Sequence, residues 1–214
     1  MTFPQNTKNR VGRFYADYGK RAFDLAISVP LLIVLFPLFL LISLLIKLGS
    51  EGPVFFTQER IGKEGKVFKL YKFRTMIKDA HSKGPSVTSR GDKRITPLGK
   101  LLRRYKLDEL PQLLNVVMGE MSLVGPRPEV KKYVDAFQDD YSSILKVRPG
   151  ITDYAALRYR SEEGILAGYD NPEQAYTEVV LPEKITLYKK YIREMGVMAD
   201  VQILFMTLRE VIKC

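Results

Sequence analysis

The chain has 214 residues, 46% hydrophobic and 27% charged, with a net charge of +10 and an isoelectric point near 9.6. Its one cysteine, Cys214, and one histidine, His81, exclude a disulfide framework and a Cys- or His-built zinc site within one chain, so a bound metal would be a hard cation on carboxylates, usually Mg²⁺ beside phosphate. The positive balance leaves three partner classes: nucleic acid, an anionic membrane surface, or a phosphorylated substrate.

Residues 1–24 are polar and basic, with Arg10, Arg13, Lys20 and Arg21 against Asp17 and Asp24. Leu25 to Ile46 then runs for 22 residues without a charge. As a helix it would extend about 33 Å, enough to cross a bilayer core and too long for a signal-peptide apolar region. Pro30 and Pro37 each remove a helical hydrogen bond, so a kink or break is expected, with Pro37 near the middle. Lys and Arg flank the run on both sides, Lys47, Arg60 and Lys63 following it. A spanning helix usually has that excess on one side only, so a re-entrant helix-break-helix competes evenly with a plain spanning anchor.

After the turn Gly49 to Pro53, Val54–Gln58 and Val67–Met76 read as strands joined at Gly62–Gly65, a β-hairpin. Residues 77–94, which include His81, read as a loop; a loop histidine is assigned no role. Lys100–Tyr105 reads as a short basic helix. Asp108 and Glu109 open the next apolar run, in which Leu110, Leu113, Leu114, Val117 and Met118 have helical spacing before Gly119. Taken alone, the pair reads first as a helix start, with Asp108 as cap and Pro111 in the first turn. Among so many cations it also reads as a place to handle phosphate esters.

Pro126-Arg127-Pro128 fixes the backbone on both sides of an arginine, and Arg148-Pro149 repeats the device, each able to offer a guanidinium to phosphate. Glu129–Lys146 reads as an amphipathic helix between these turns. Residues 158–182 are mixed and polar. Beyond Pro182 the chain is helical, and Met198, Val201, Leu204, Phe205, Leu208, Val211 and Ile212 form a stripe suited to a core or to a membrane interface. No Walker A loop, dinucleotide fingerprint, nucleophile elbow or H-E-x-x-H occurs.

The stretch Arg94 to Arg103, then Leu107 to Pro128 (Leu-Asp-Glu-Leu-Pro-Gln-Leu-Leu-Asn through Val-Gly-Pro-Arg-Pro), resembles the bacterial sugar transferase family of small monotopic phosphoglycosyl transferases. Phe23-Asp24, Phe56 to Gly62, Phe68 to Met76 and Val147 to Thr152 extend the resemblance from about residue 20 to the C-terminus. It implies transfer of a sugar-1-phosphate from a UDP-sugar to polyprenyl phosphate at the bacterial inner membrane, with release of UMP. It further implies Asp108 as nucleophile of a covalent phosphosugar intermediate and Glu109 as ligand of Mg²⁺. Arg103, Arg127, Arg148 and Lys72 are implied as substrate-binding residues, and Pro37 as the membrane-helix break. Phe36-Pro37 replaces the Ser-Pro pair common in the family, and Asp153-Tyr154-Ala155-Ala156 replaces Gly-Trp-Ala-Gln, which leaves the sugar open.

The expected architecture is α+β and predominantly helical. An N-terminal basic segment and re-entrant membrane helix occupy residues 1–48. A cytoplasmic catalytic domain over 49–214 carries the hairpin and amphipathic membrane-interface helices. Expected partners are UDP-sugar, polyprenyl phosphate and inner-membrane lipid, without nucleic acid; a homodimer is one of the oligomeric states left open. The competing reading is a non-enzymatic, membrane-anchored basic binding module.

Overall fold

The computed structural model describes residue 15 and residues 19–80 and 92–213. The expectations for residues 1–14, His81 and Cys214 fall outside that set.

Helix α1, Lys20–Gly49, is 30 residues long, about 45 Å at the α-helical rise, and long and apolar enough by composition to cross a bilayer. Its helical assignment continues through both prolines, so the expected break at Pro37 does not appear as an interruption. One stripe of α1 packs on the rest of the protein. Asp24 and Ser28 are buried near its start and Ile42 and Ile46 near its end, with Ile27, Leu32, Leu35, Leu38 and Phe39 partly buried between. Val29, Ile33, Val34, Phe36, Leu40, Leu41, Leu44 and Leu48 remain exposed.

Strands β1 (Phe55–Ile61) and β2 (Val67–Phe73) form the expected antiparallel hairpin, in register from Phe55 opposite Phe73 to Ile61 opposite Val67. The first strand runs further than the sequence reading and the second stops sooner. Helix α2 is Pro97–Arg104; Thr96 caps it by accepting from the Gly99 N–H at 2.9 Å. Helix α3 is Gln112–Met118, closed by Gly119 at φ 86°, a left-handed cap that glycine adopts without strain.

Strands β3 (Ser122–Val124) and β4 (Gly150–Thr152) pair in parallel, an element absent from the sequence reading. Their ends touch backbone to backbone: a Cβ on Gly150 would stand 2.0 Å from the Gly125 nitrogen. Residues 129–146 form two helices instead of one, α4 (Lys131–Ala136) and α5 (Gln138–Ile144), because Phe137 leaves helical geometry at φ −125°, ψ 42°. Short helices α6 (Tyr154–Arg158), α7 (Glu162–Leu166) and α8 (Pro172–Ala175) follow. Helices α9 (Leu181–Glu194) and α10 (Val197–Ile212) end the described chain.

The core falls into three clusters. One gathers Tyr141, Tyr176, Leu181, Ile185 and Tyr188 under α4, α5 and α9. The second joins Phe68 and Leu70 of β2 to Val116 of α3 and Ile203 of α10. The third joins Ile42 and Ile46 of α1 to Phe73 and Leu102. On α10 only Asp200 and Ile203 are buried; Met198, Val201, Phe205, Leu208 and Ile212 face outward, so the stripe is not a core face.

Candidate active site

The acid pair sits on a 3₁₀ turn, Leu107–Glu109, entered through Lys106 in left-handed geometry at φ 56°. That conformation costs about 1–2 kcal/mol in a residue with a Cβ and reverses the chain sharply after α2. Asp108 therefore caps nothing: helix α3 begins at Gln112, Pro111 occupies the cap position, and no side-chain cap bond forms there. This corrects the capping role read from sequence.

Packing fixes the turn from two sides. Leu107 and Leu110 lie against the cluster built on Ile42, Ile46, Phe73 and Leu102. Asn115, fully buried, ties α3 to β2: its Oδ1 accepts from the Tyr71 N–H at 3.1 Å, and its Nδ2 donates to the Lys69 carbonyl and to Glu120 Oε2, each at 2.7 Å. That bond to Tyr71 sets the neighbouring Lys72 beside the pair.

The two acids have opposite surroundings. Glu109 Oε1 accepts from Lys72 Nζ at 2.9 Å and from Arg127 Nη2 at 2.5 Å, and Oε2 accepts from Arg127 Nη1 at 3.1 Å. Burial would raise its pKa, but Arg127 and Lys72 together outweigh that and hold the carboxyl well below the usual glutamate range. Glu109 in turn holds Arg127 well above its ordinary value, while burial lowers Lys72 despite Glu109. Asp108 is 7% exposed, and its Oδ1 is buried without a hydrogen-bond partner among the described residues. Burial and the adjacent Glu109 raise its pKa; Lys72, Lys106 and Arg103 pull the other way. Neighbouring carboxylates driven apart in this manner commonly divide two chemical roles.

Arg127 owes its position to the two Arg-Pro turns. Gly125 N–H donates to the Thr152 carbonyl at 3.0 Å and Gly150 N–H to the Pro126 carbonyl at 2.9 Å, joining the turns across β3 and β4. Asp153 is buried beneath them. Its Oδ1 accepts from the backbone N–H of Ala156 at 2.6 Å, and burial pushes its pKa up to about 6. Arg103, at the end of α2, acts on Asp108 through its charge and not by a hydrogen bond. Its Nε donates to Thr75 Oγ1 at 2.9 Å and its Nη1 to Glu163 Oε1 at 2.6 Å.

The structure thus brings together Asp108, Glu109, Lys72, Arg103 and Arg127. It does not bring Arg148 to the pair: Arg148 Nε donates to the Gly119 carbonyl at 2.9 Å, at the opposite end of α3. Arg21 donates there too, to the carbonyls of Val116 and Val117, so both arginines close that helix. Pro37 lies on the exposed side of α1 and forms no part of the cluster. Thr75, Asn115 and Glu163 were missed. The acid pair Glu162-Glu163 was a signal for the last, because acids in a basic chain need cations.

No group of three or more His, Cys, Asp or Glu side chains that could hold a metal ion occurs among the described residues. Glu109 Oε2 accepts one hydrogen bond and keeps a lone pair, and Asp108 Oδ1 is unpartnered. Mg²⁺ commonly takes one or two protein carboxylates and completes its shell with phosphate and water, and the pair fits that pattern through Glu109.

The family model for bacterial sugar transferases matches residues 15–214, and the chain belongs to that family. It is 40% identical over 197 residues to an undecaprenyl-phosphate glucose phosphotransferase of Komagataeibacter xylinus, covering 89% of this chain and 35% of that protein. Over 193 residues it is 36% identical to the UDP-glucose:undecaprenyl-phosphate glucose-1-phosphate transferase of Escherichia coli K12, covering 88% and 39%. To the exopolysaccharide production protein PSS of Rhizobium leguminosarum bv. phaseoli it is 39% identical, covering 88% and 92%. The chain spans less than half the length of the first two.

Proposed function

We propose that the chain transfers a sugar-1-phosphate from a UDP-sugar to polyprenyl phosphate, at the cytoplasmic face of the bacterial inner membrane, through a covalent intermediate on Asp108. The observation that carries this reading is the contrast within the dyad: a buried carboxylate with an unpartnered oxygen stands beside one already neutralised by Lys72 and Arg127. A desolvated carboxylate is the stronger nucleophile, and the surrounding cations favour its ionised form and attract phosphate. The two relatives named as undecaprenyl-phosphate sugar phosphotransferases support the same class of acceptor.

In the first step an Asp108 oxygen attacks the phosphorus bearing the sugar. The bond from that phosphorus to the bridging oxygen breaks, and its electron pair leaves with UMP. In the second, a polyprenyl phosphate oxygen attacks the same phosphorus and Asp108 departs as the free carboxylate. Arg127 and Lys72 hold Glu109 and set positive charge beside the reacting phosphates; Arg103 adds a further positive charge near Asp108. Mg²⁺, held through Glu109, would supply charge neutralisation to the diphosphate and leaving UMP.

The seat of α1 supports a re-entrant helix. Asp24 near its start accepts from Ser122 Oγ at 2.9 Å and from the Leu123 N–H at 3.0 Å, while Ile46 near its end packs on Phe73 and Leu102. Both ends are thus anchored on one folded body, and a bend at Pro30 and Pro37 within the continuous helix would let it enter and leave the same side of the membrane. A non-enzymatic basic module gives no role to a buried, unpartnered carboxylate among cations.

Purified protein with Mg²⁺, polyprenyl phosphate and a panel of UDP-sugars should release UMP with at least one sugar. It should also exchange labelled UMP into that UDP-sugar without acceptor, and Asp108→Asn should abolish both. UMP release by none of the sugars, or full activity in Asp108→Asn, overturns the reading. For topology, single cysteines near Thr2 and Glu51 in a Cys214→Ser background should be labelled from the same side; labelling from opposite sides refutes the re-entrant helix.

A further inference from the structure

Helix α7 begins with two acids that meet different fates. Glu162 pairs with Lys184, whose side chain is 4% exposed and whose ammonium also lies 4.9 Å from the Tyr176 ring centre and 5.9 Å from that of Tyr159. The lysine end of this contact is buried against two aromatic rings, while the Glu162 side chain is 30% exposed; the contact fixes the start of α7. Glu163 instead reaches Arg103, and its side chain is 45% exposed. Arg103 is itself anchored through Nε on Thr75, and its Nη2 has no hydrogen-bond partner among the described residues. The Thr75 anchor is rigid: a Cβ on Gly99 would stand 2.0 Å from the Thr75 carbonyl oxygen, so α2 sits directly on that residue.

We infer that Glu163 is an internal anion holding the phosphate position of Arg103 in the free protein, and that an incoming diphosphate displaces it. The inference rests on the phosphoryl-transfer reading of the same site and adds a residue that sets its affinity. The asymmetry of the two acids supports it. Ion pairs with exposed partners are weak, while a guanidinium binds phosphate with short, charge-assisted, bidentate bonds. Of the carboxylates on the site's cations, Glu109 is buried and held by two of them, so Glu163 is the one released at least cost. With Glu162 bolted to Lys184, release needs only a change of the Glu163 side chain, and α7 stays in place. Arg103 then offers phosphate both Nη atoms, Nη2 being free already.

The probe is inorganic pyrophosphate, titrated calorimetrically into the full chain in detergent micelles. Glu163→Gln should bind it about three- to fivefold more tightly than the wild type, the range expected when a weak competing ion pair is removed. Arg103→Gln should weaken binding, and Glu163→Gln added to Arg103→Gln should bring no further change. Glu163→Ser repeats the test without a long side chain, and matched melting curves confirm that both variants fold. Unchanged or weaker binding in both Glu163 variants overturns the inference, as does a gain that persists without Arg103. UMP release by the wild type is measured in parallel. Failure there with the pyrophosphate pattern intact counts against the transferase reading alone, while turnover with no Glu163 effect counts against this inference alone.

Discussion

Replacing Asp108 with asparagine should abolish turnover and make the protein more stable. The side chain is 7% exposed, and a charged oxygen buried without a partner costs more than a neutral one, whose penalty of about 1–3 kcal/mol an asparagine there would still carry. The neighbouring Glu109 adds repulsion, while Lys72, Lys106 and Arg103 return part of the cost. Asparagine keeps the shape and removes the charge, and Lys72 retains Glu109 as its partner. The expected net gain is about 1–2 kcal/mol, or about 2–8 °C in Tm for a chain of this size. The sign follows from linkage: the folded-state pKa of Asp108 is raised, so its protonated form favours folding. That stability is present below the unfolded aspartate pKa and lost as pH rises through the folded value. The advantage of asparagine should therefore be full above the folded-state pKa of Asp108 and fade as pH falls toward the unfolded aspartate value of about 4. Thermal and urea melts in detergent micelles across that range measure it. An Asp108→Asn protein less stable than the wild type at neutral pH, or an advantage independent of pH, refutes the argument.

Glu109→Gln should act in the opposite direction, costing about 3–5 kcal/mol because it leaves Lys72 and Arg127 partly buried without their counter-charge. Adding Lys72→Met should restore part of this in urea melts. The folded-state pKa of Glu109 is depressed, so the deficit should be full above the unfolded glutamate value and shrink as pH falls through the folded one. Asn115→Ala should cost about 2–4 kcal/mol by stranding the Tyr71 N–H and Lys69 carbonyl, and should lower UMP release through the displacement of Lys72. Gly150→Ala should lower Tm and UMP release together, since its Cβ would stand 2.0 Å from the Gly125 nitrogen and force β3 and β4 apart below Arg127.

What could be read from the sequence was local. The apolar run, the hairpin and the short basic helix announce themselves through charge, alternation and turn residues within a dozen positions. Asp108-Glu109 stood out for the same reason, two acids in a basic neighbourhood. What could not be read depends on distant partners. Strands β3 and β4 are three residues each and exist only because Ser122 finds Gly150 across 28 positions. Arg148 and Arg127 occupy similar Arg-Pro turns, yet packing sends one to the Gly119 carbonyl and the other to Glu109. The stripe on α10 has a core-like period, but its outward orientation is fixed by buried Asp200, which accepts from Tyr191 at 2.7 Å, Tyr15 at 2.6 Å and Lys20 at 2.5 Å.

Those distant partners also give the site its charge balance. Four cations, Lys72, Arg103, Lys106 and Arg127, surround Asp108 and Glu109, and Glu163 is the only further carboxylate paired with any of them among the described residues. Four positive charges against three negative leave the site short of one. If a diphosphate displaces Glu163, as inferred above, it would find room for two, one on each phosphate. The excess is local, and it accounts for Asp108 better than the net charge of the whole chain does. In the proposed mechanism the Asp108 carboxylate must stay ionised in a buried place without being engaged by the cations that keep it so. Glu109 meets that requirement for its neighbour: by occupying Lys72 and Arg127 it leaves their field in place and takes up their hydrogen bonds, and Asp108 Oδ1 stays free to react.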